Sequence, residues 1–155
     1  MGLVLSIFLS GCGPSRQIES DYAGQKFETT CLSCDGSRQT VRVWASGKGK
    51  AKALEQCRKQ ALRDIIFKGI NLGDKSCLRR PLVAEVNAEE RYRSFFNEFF
   101  AKKSRWSRFA KLNDKKYSRG VSKHDETETW EASVTVDIDA LGAHLREQGV
   151  NTIDY

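Results

Sequence analysis

The chain has 155 residues, of which 39% are hydrophobic and 30% are charged, and its formal net charge is +6. This composition is typical of one globular domain and excludes an intrinsically disordered chain, which would hold too few apolar residues to form a core. The charge is uneven: the range 42–80 holds eleven basic and three acidic residues, 102–123 holds nine and one, and 125–155 holds one and eight. This distribution predicts either a dipolar surface that attracts anionic partners, or helix faces whose charges neutralise each other in the fold.

The first residues have the pattern of an export signal. The apolar run Leu3–Leu9 is too short to span a bilayer as a helix, which takes about 20 apolar residues. The tetrapeptide that ends at Cys12, Leu-Ser-Gly-Cys, resembles a bacterial lipobox. That resemblance implies a signal peptide at 1–11 and a lipid on the Cys12 sulfur. No Lys or Arg precedes the apolar run, which departs from the usual signal, and a buried amino-terminal strand is the alternative reading of the segment.

The segment after Cys12 lacks hydrophobic periodicity and is rich in Gly, Ser, Gln and Asp. It predicts a lipidated tether and irregular stretch over 12–39, followed by an α/β domain over 40–155. Alternation of apolar and polar residues predicts a strand at Thr40–Ala45, and helical spacing predicts a helix at Ala51–Lys68 that ends at Gly69.

The second half of the chain predicts helices around a hairpin. A loop over 70–84 leads to a helix that Asn87 begins, and further helical turns follow through residue 109. Residues 117–123 and 127–138 read as two strands, and Asp139 is expected to cap a last helix. The expected fold is therefore α+β: a single small domain with a three- to four-stranded mixed or antiparallel sheet, helices mainly on one face, and the order β-α-α-β-β-α.

Three features together resemble a known type of domain. They are the strand that ends at Ala45-Ser46-Gly47-Lys48-Gly49, the helix with Ala53, Cys57 and Ala61 at four-residue spacing, and the late strand Val134–Ile138 before a helix. The range 40–150 thus resembles the small α/β domain of envelope lipoproteins and the amino-terminal region of the flagellar assembly T-protein. It is more loosely similar to lipoprotein activators of peptidoglycan synthases. The resemblance implies a non-enzymatic docking domain of an envelope or secretion assembly.

The cysteines beyond Cys12 leave several uses open. Cys31 and Cys34 form a C-x-x-C motif, and Cys77 lies further along the chain. In an extracytoplasmic protein a structural disulfide is expected, joining Cys77 to Cys31 or to Cys34, or joining Cys31 to Cys34. A thiol-redox pair or a metal site at Cys31 and Cys34 is the alternative. Cys57 lies on the apolar face of its helix and is expected to be a small buried residue.

The stretch from residue 95 to 111 mixes aromatic and basic residues. Such a mixture is found at membrane and partner surfaces, although the aromatic rings can equally belong to the core. The partner-binding hypothesis concerns a set of four aromatic residues and one arginine: Phe99, Phe100, Arg105, Trp106 and Phe109.

The sequence predicts no catalytic residue, no metal site and no cofactor. His124 and His144 stand in no recognisable motif, and both are expected at the surface. The expected location is extracytoplasmic, on the outer or cytoplasmic membrane and facing the periplasm. The expected partners are that membrane, through the lipid on Cys12, and envelope proteins. Peptidoglycan or another anionic polymer is the alternative partner, bound by the basic range 48–68, and nucleic acid is not expected.

Overall fold

The computed structural model describes residues 28–113, 118–120 and 127–153, and for residues 118–120 and 127 it describes the backbone alone. The strands are β1 (Thr30–Asp35), β2 (Arg38–Lys48), β3 (Leu72–Gly73), β4 (Ala110–Leu112), β5 (Ser118–Gly120) and β6 (Thr127–Asp137). The helices are α1 (Gly49–Phe67), α2 (Ala88–Arg91), α3 (Arg93–Ala101), α4 (Lys103–Trp106) and α5 (Ile138–Glu147).

The strands form one mixed sheet in the order β3-β1-β2-β6-β4. The long strands β2 and β6 pair antiparallel along their whole length, from Arg38 opposite Asp137 to Lys48 opposite Thr127. Both β4 and β5 pair with β6, one after the other along the edge that β2 leaves open. At the other side, β1 is antiparallel to β2, and the two-residue β3 runs parallel to β1.

One face of the sheet is buried and the other is polar. The alternation in β6 decides which residues face inward: Ala132, Val134 and Val136 are fully buried, as are Val41 and Val43 opposite them. Helix α1 packs across β2 and β6 on this face. The expected α+β class, the single small domain and the mixed sheet are confirmed, and the described strands number six rather than three or four.

The sheet approaches α1 closely because the inner face of β2 tapers toward the helix. Its residues become smaller along the strand, from Val41 and Val43 to Ala45 and Gly47. A Cβ atom on Gly47 would lie 2.5 Å from the backbone nitrogen of Ala53, so only glycine fits beneath the first turns of α1. Strand β2 continues to Lys48, three residues beyond the end of the strand that the sequence predicted at Thr40–Ala45.

Strands are present earlier in the chain than the sequence predicted. Strand β1 and the first residues of β2 lie within 12–39, the range expected to be tether and irregular chain. The alternation in β1 was hidden because the pairing register shifts between Cys31 and Ser33, which is a β-bulge. Cys31 and Cys34 consequently pair with inward-facing residues of β2 although they are three positions apart.

The helix boundaries also correct three expectations. Asn87 has a left-handed backbone (φ 59°) and makes no side-chain cap, so it does not begin α2 as a capping box would. The last helix is capped two residues earlier than predicted, because the Asp137 carboxylate accepts a hydrogen bond of 3.0 Å from the Ala140 amide. Helix α4 ends at Trp106, so the helical turns expected through residue 109 stop three residues earlier, and β4 begins at Ala110.

Candidate functional site

The aromatic residues proposed as a partner surface are core residues. Trp106 and Phe99 are fully buried, and Phe100 and Phe109 are at most 5% exposed. The partner-binding prediction is therefore wrong for these four side chains. Among the predicted set, Arg105 alone lies partly exposed at the surface, where its Nη2 is 2.9 Å from the Glu98 carboxylate.

Both aromatic faces of α3 contact neighbouring helices, although Phe95 is only partly buried. Toward α1, the Phe96 ring packs edge-on against Phe67, with centroids 4.7 Å apart. Toward α5, Phe99 lies 6.0 Å from the ring of His144, which also stacks on Phe109 at 5.3 Å. His144 is therefore packed against this cluster rather than placed freely at the surface, and burial, with Arg108 nearby, lowers its pKa. His124 lies outside the described residues.

Cationic side chains cover the buried rings from outside. The Arg58 guanidinium and the Lys59 ammonium lie 4.9 and 5.3 Å from the centre of the Trp106 ring. Arg63 covers Phe100 in the same way at 4.5 Å. Attraction between a cation and a ring face stabilises such pairs. The mixture of aromatic and basic residues in the sequence thus separates in the fold into a buried aromatic layer beneath a cationic one.

Arg58 does more than cover a ring. Its Nε donates to the Ala110 carbonyl and its Nη2 to the Ser107 carbonyl, both at 2.7 Å, so one side chain of α1 fixes the connection from α4 to β4. Burial lowers the pKa of the guanidinium, and the nearby Glu55 opposes that shift. Sequence reasoning missed this role because the two carbonyls lie about fifty residues away from Arg58.

The outer surface of α1, α3 and α4 carries more cations than anions. Glu55 lies 3.6 Å from the ammonium of Lys52 and 3.4 Å from that of Lys59, and Lys103 also acts on it. Partial burial would raise the pKa of Glu55, but these lysines together hold it below its ordinary value.

Glu98 is shared in the same manner. Lys102 Nζ and Arg105 Nη2 both lie 2.9 Å from its Oε1. The hydrogen bond from Lys102, followed by the positive charges of Arg105 and Lys102, lowers the Glu98 pKa. Five basic side chains therefore share two carboxylates on this surface: Lys52, Lys59, Lys102, Lys103 and Arg105. We call these five residues the cationic helix surface.

The four cysteines within the described residues form one disulfide and two free thiols. Of the pairings left open, the structure has the one between Cys31 and Cys77, whose Cα atoms are 6.0 Å apart. Cys34 is a half-buried thiol whose pKa is raised by burial and by Asp35 and Asp74, so the C-x-x-C motif does not form the disulfide. Cys57 is fully buried, as expected, and burial raises its pKa to about 12.

The buried carboxylate of Asp64 holds the first residues of the described chain. It accepts hydrogen bonds from the Thr29 hydroxyl and from Gln60 Nε2, the latter at 2.8 Å, and Lys68 Nζ lies 3.0 Å away. A polar cleft of about 370 Å³ opens beside these groups and extends to Leu72. Within the described ranges, no group of three or more His, Cys, Asp or Glu residues is placed to hold a metal ion.

The described part of the chain contains no helix that is both long and apolar enough to cross a membrane. Cys12 and the predicted signal peptide over 1–11 lie outside the described residues. Comparisons with protein-family models, with curated proteins and with solved structures find no match to this chain.

Proposed function

We propose that this chain is a lipid-anchored extracytoplasmic binding protein, held to a membrane through Cys12, with a non-enzymatic role as a binding or scaffold subunit of an envelope assembly. The observation that carries the proposal is the sequence Leu9-Ser10-Gly11-Cys12 after a short apolar run. An aliphatic residue and two small residues before a cysteine suit lipid transfer to the thiol and cleavage before it. The mature protein would then begin at Cys12.

The Cys31–Cys77 disulfide supports an extracytoplasmic location. Structural disulfides persist in oxidising compartments and are rare in the cytosol, where thiols are kept reduced.

The length of chain after Cys12 is compatible with an anchor. Fifteen residues separate Cys12 from Glu28, the first residue that the structure describes. A chain of that length spans at most about 50 Å. The domain would thus stay close to the membrane surface.

The mass of the protein purified from its native membranes tests the anchor. We expect a chain that starts at Cys12 and carries added acyl mass. The Cys12→Ala variant should keep the uncut chain without acyl mass, and a Cys34→Ala variant should be processed like the wild type. An unprocessed, unacylated wild-type chain would refute the proposal.

A further inference from the structure

The cationic helix surface is the strongest unassigned feature of the described residues. Its five cations face two carboxylates among the residues that the structure describes, which leaves an excess of positive charge there. Lys52 and Lys102 are 66% and 58% exposed, which leaves their ammonium groups accessible to a partner. The surface is also firmly supported, since Lys59 and Arg58 rest on the buried Trp106.

We infer that this surface docks on the anionic lipid headgroups of the membrane that holds the protein. The inference rests on the proposed lipid anchor. Juxtamembrane basic residues are attracted to anionic bilayers, and each contributes roughly fivefold to binding at low salt. One lipid anchor combined with a basic surface binds far more stably than either signal alone.

The point of chain entry favours the membrane over other anionic partners. Thr29 is hydrogen-bonded to Asp64, a residue of α1, so the tether joins the domain at the helix layer. The cationic residues Lys52 and Lys59 belong to the same helix. The first described residues of the chain and two of the five cations therefore contact or belong to the same helix.

The opposite face of the sheet offers no comparable attraction. There Arg42 lies 3.8 Å from Glu131, and hydroxyl groups pair across the strands, as Thr40 does with Thr135 at 2.8 Å. Arg42 and Glu131 thus partly offset each other's charge on that face. Docking through the helix layer would thus leave the polar sheet face turned away from the membrane and open to envelope proteins.

Vesicle co-sedimentation of the full chain carrying Cys12→Ser tests the inference without the lipid. Vesicles of pure phosphatidylcholine are compared with vesicles that contain about 30% phosphatidylglycerol. The test variant is Lys52→Glu with Lys103→Glu, two residues that surround Glu55. The control is Lys75→Glu with Lys111→Glu, which changes the net charge equally at exposed positions outside the helix layer.

We expect binding to the anionic vesicles alone, weakened more than tenfold by the test variant and by raised salt. The control variant should stay within about threefold of the parent. Equal binding to both vesicle types, equal losses in both variants, or stronger sedimentation with purified peptidoglycan sacculi than with anionic vesicles would overturn the inference. The mass measurement on native membranes tests the anchor separately, so a failure of docking is distinguishable from a failure of lipidation.

Discussion

The two faces of the sheet use the same kinds of residue in opposite ways. On the open face, charged and hydroxyl side chains pair with one another across β2 and β6, as Arg42 does with Glu131 and Ser46 with Thr129. On the covered face, basic side chains of α1 lie over buried rings and exceed their acidic partners. An excess of charge is costly to the fold, and its concentration on one surface is the reason that we propose this surface, and not the open face, for docking.

The largest expected effect on stability comes from replacing one tryptophan on each face of the sheet. Trp106→Ala should lower the free energy of unfolding by about 3–5 kcal/mol, because it empties a fully buried site beneath Arg58. Trp44 is half-buried on the open face, so Trp44→Ala should lower the free energy of unfolding by less than about 2 kcal/mol. Chemical denaturation of both variants measures the difference, and equal losses would show that the two faces are equally packed.

Trp106→Phe sharpens the same test. The indole Nε1 of Trp106 is buried without a hydrogen-bond partner among the described residues. Removing that N–H relieves an unsatisfied polar group and offsets part of the lost volume. We expect this variant to retain most of the stability that Trp106→Ala loses. A loss as large as that of the alanine variant would mean that the N–H is bonded after all.

The disulfide should contribute the next largest effect, at the edge of the sheet. Cys31 in β1 and Cys77 in the loop after β3 are 46 residues apart in sequence, and closing a loop of that length stabilises by about 2–4 kcal/mol. The Cys31→Ala/Cys77→Ala variant should unfold at correspondingly lower denaturant, and wild type under reductant should match it. Cys34→Ala is the control and should change little. If Cys34→Ala instead matches the double variant, the native pairing involves Cys34.

A matched pair of arginines separates buried from exposed charge. Arg58→Met should cost about 2 kcal/mol, since the Ser107 and Ala110 carbonyls lose their donor. Arg42→Met removes an exposed ion pair and should cost less than about 1 kcal/mol. Thermal or chemical unfolding measures both. A larger loss at Arg42 would contradict the assignment of Arg58 as the residue that fixes the α4–β4 connection.

The smallest effect should be a dependence of stability on pH. Burial, then Arg108, lowers the pKa of His144 in the folded protein, with Glu147 opposing and Arg105 adding to the shift. The unfolded chain then binds a proton more readily, so stability falls as pH drops below about 6.5, the ordinary histidine value. Unfolding at pH 7.5 and pH 5.5 should show a decrease in wild type that His144→Leu removes. The same slope in the variant would assign it to other groups.

Periodicity in the sequence predicted the parts of the fold that repeat regularly. The alternation from Trp130 to Ile138 placed β6, and the spacing of Cys57 and Ala61 placed the buried face of α1. The bulge after Cys31 defeated the same reasoning in β1, because one extra residue cancels the alternation. Strands of two or three residues, such as β3 and β4, hold too few positions to show a period.

The candidate site was harder to predict because its properties depend on distant pairings. The sequence identified the aromatic and basic stretch but not that α1 and α5 lie on either side of α3 and contact both of its aromatic faces. The sequence of α1 held one clue. Its basic residues Arg58, Lys59 and Arg63 are spread over more of the helix circumference than a single solvent-exposed stripe would occupy. Which rings they cover follows from the tertiary packing alone.

The position of the disulfide also determines how the domain responds to mechanical load. A pull on the chain ahead of Glu28 meets the hydrogen bond from Thr29 to Asp64 and then, two residues later, the Cys31–Cys77 bond. The strand β2 and the whole of α1 lie between these cysteines in sequence, inside a covalent loop. Tension from the amino-terminal side therefore bypasses them and cannot draw them out while that bond is intact.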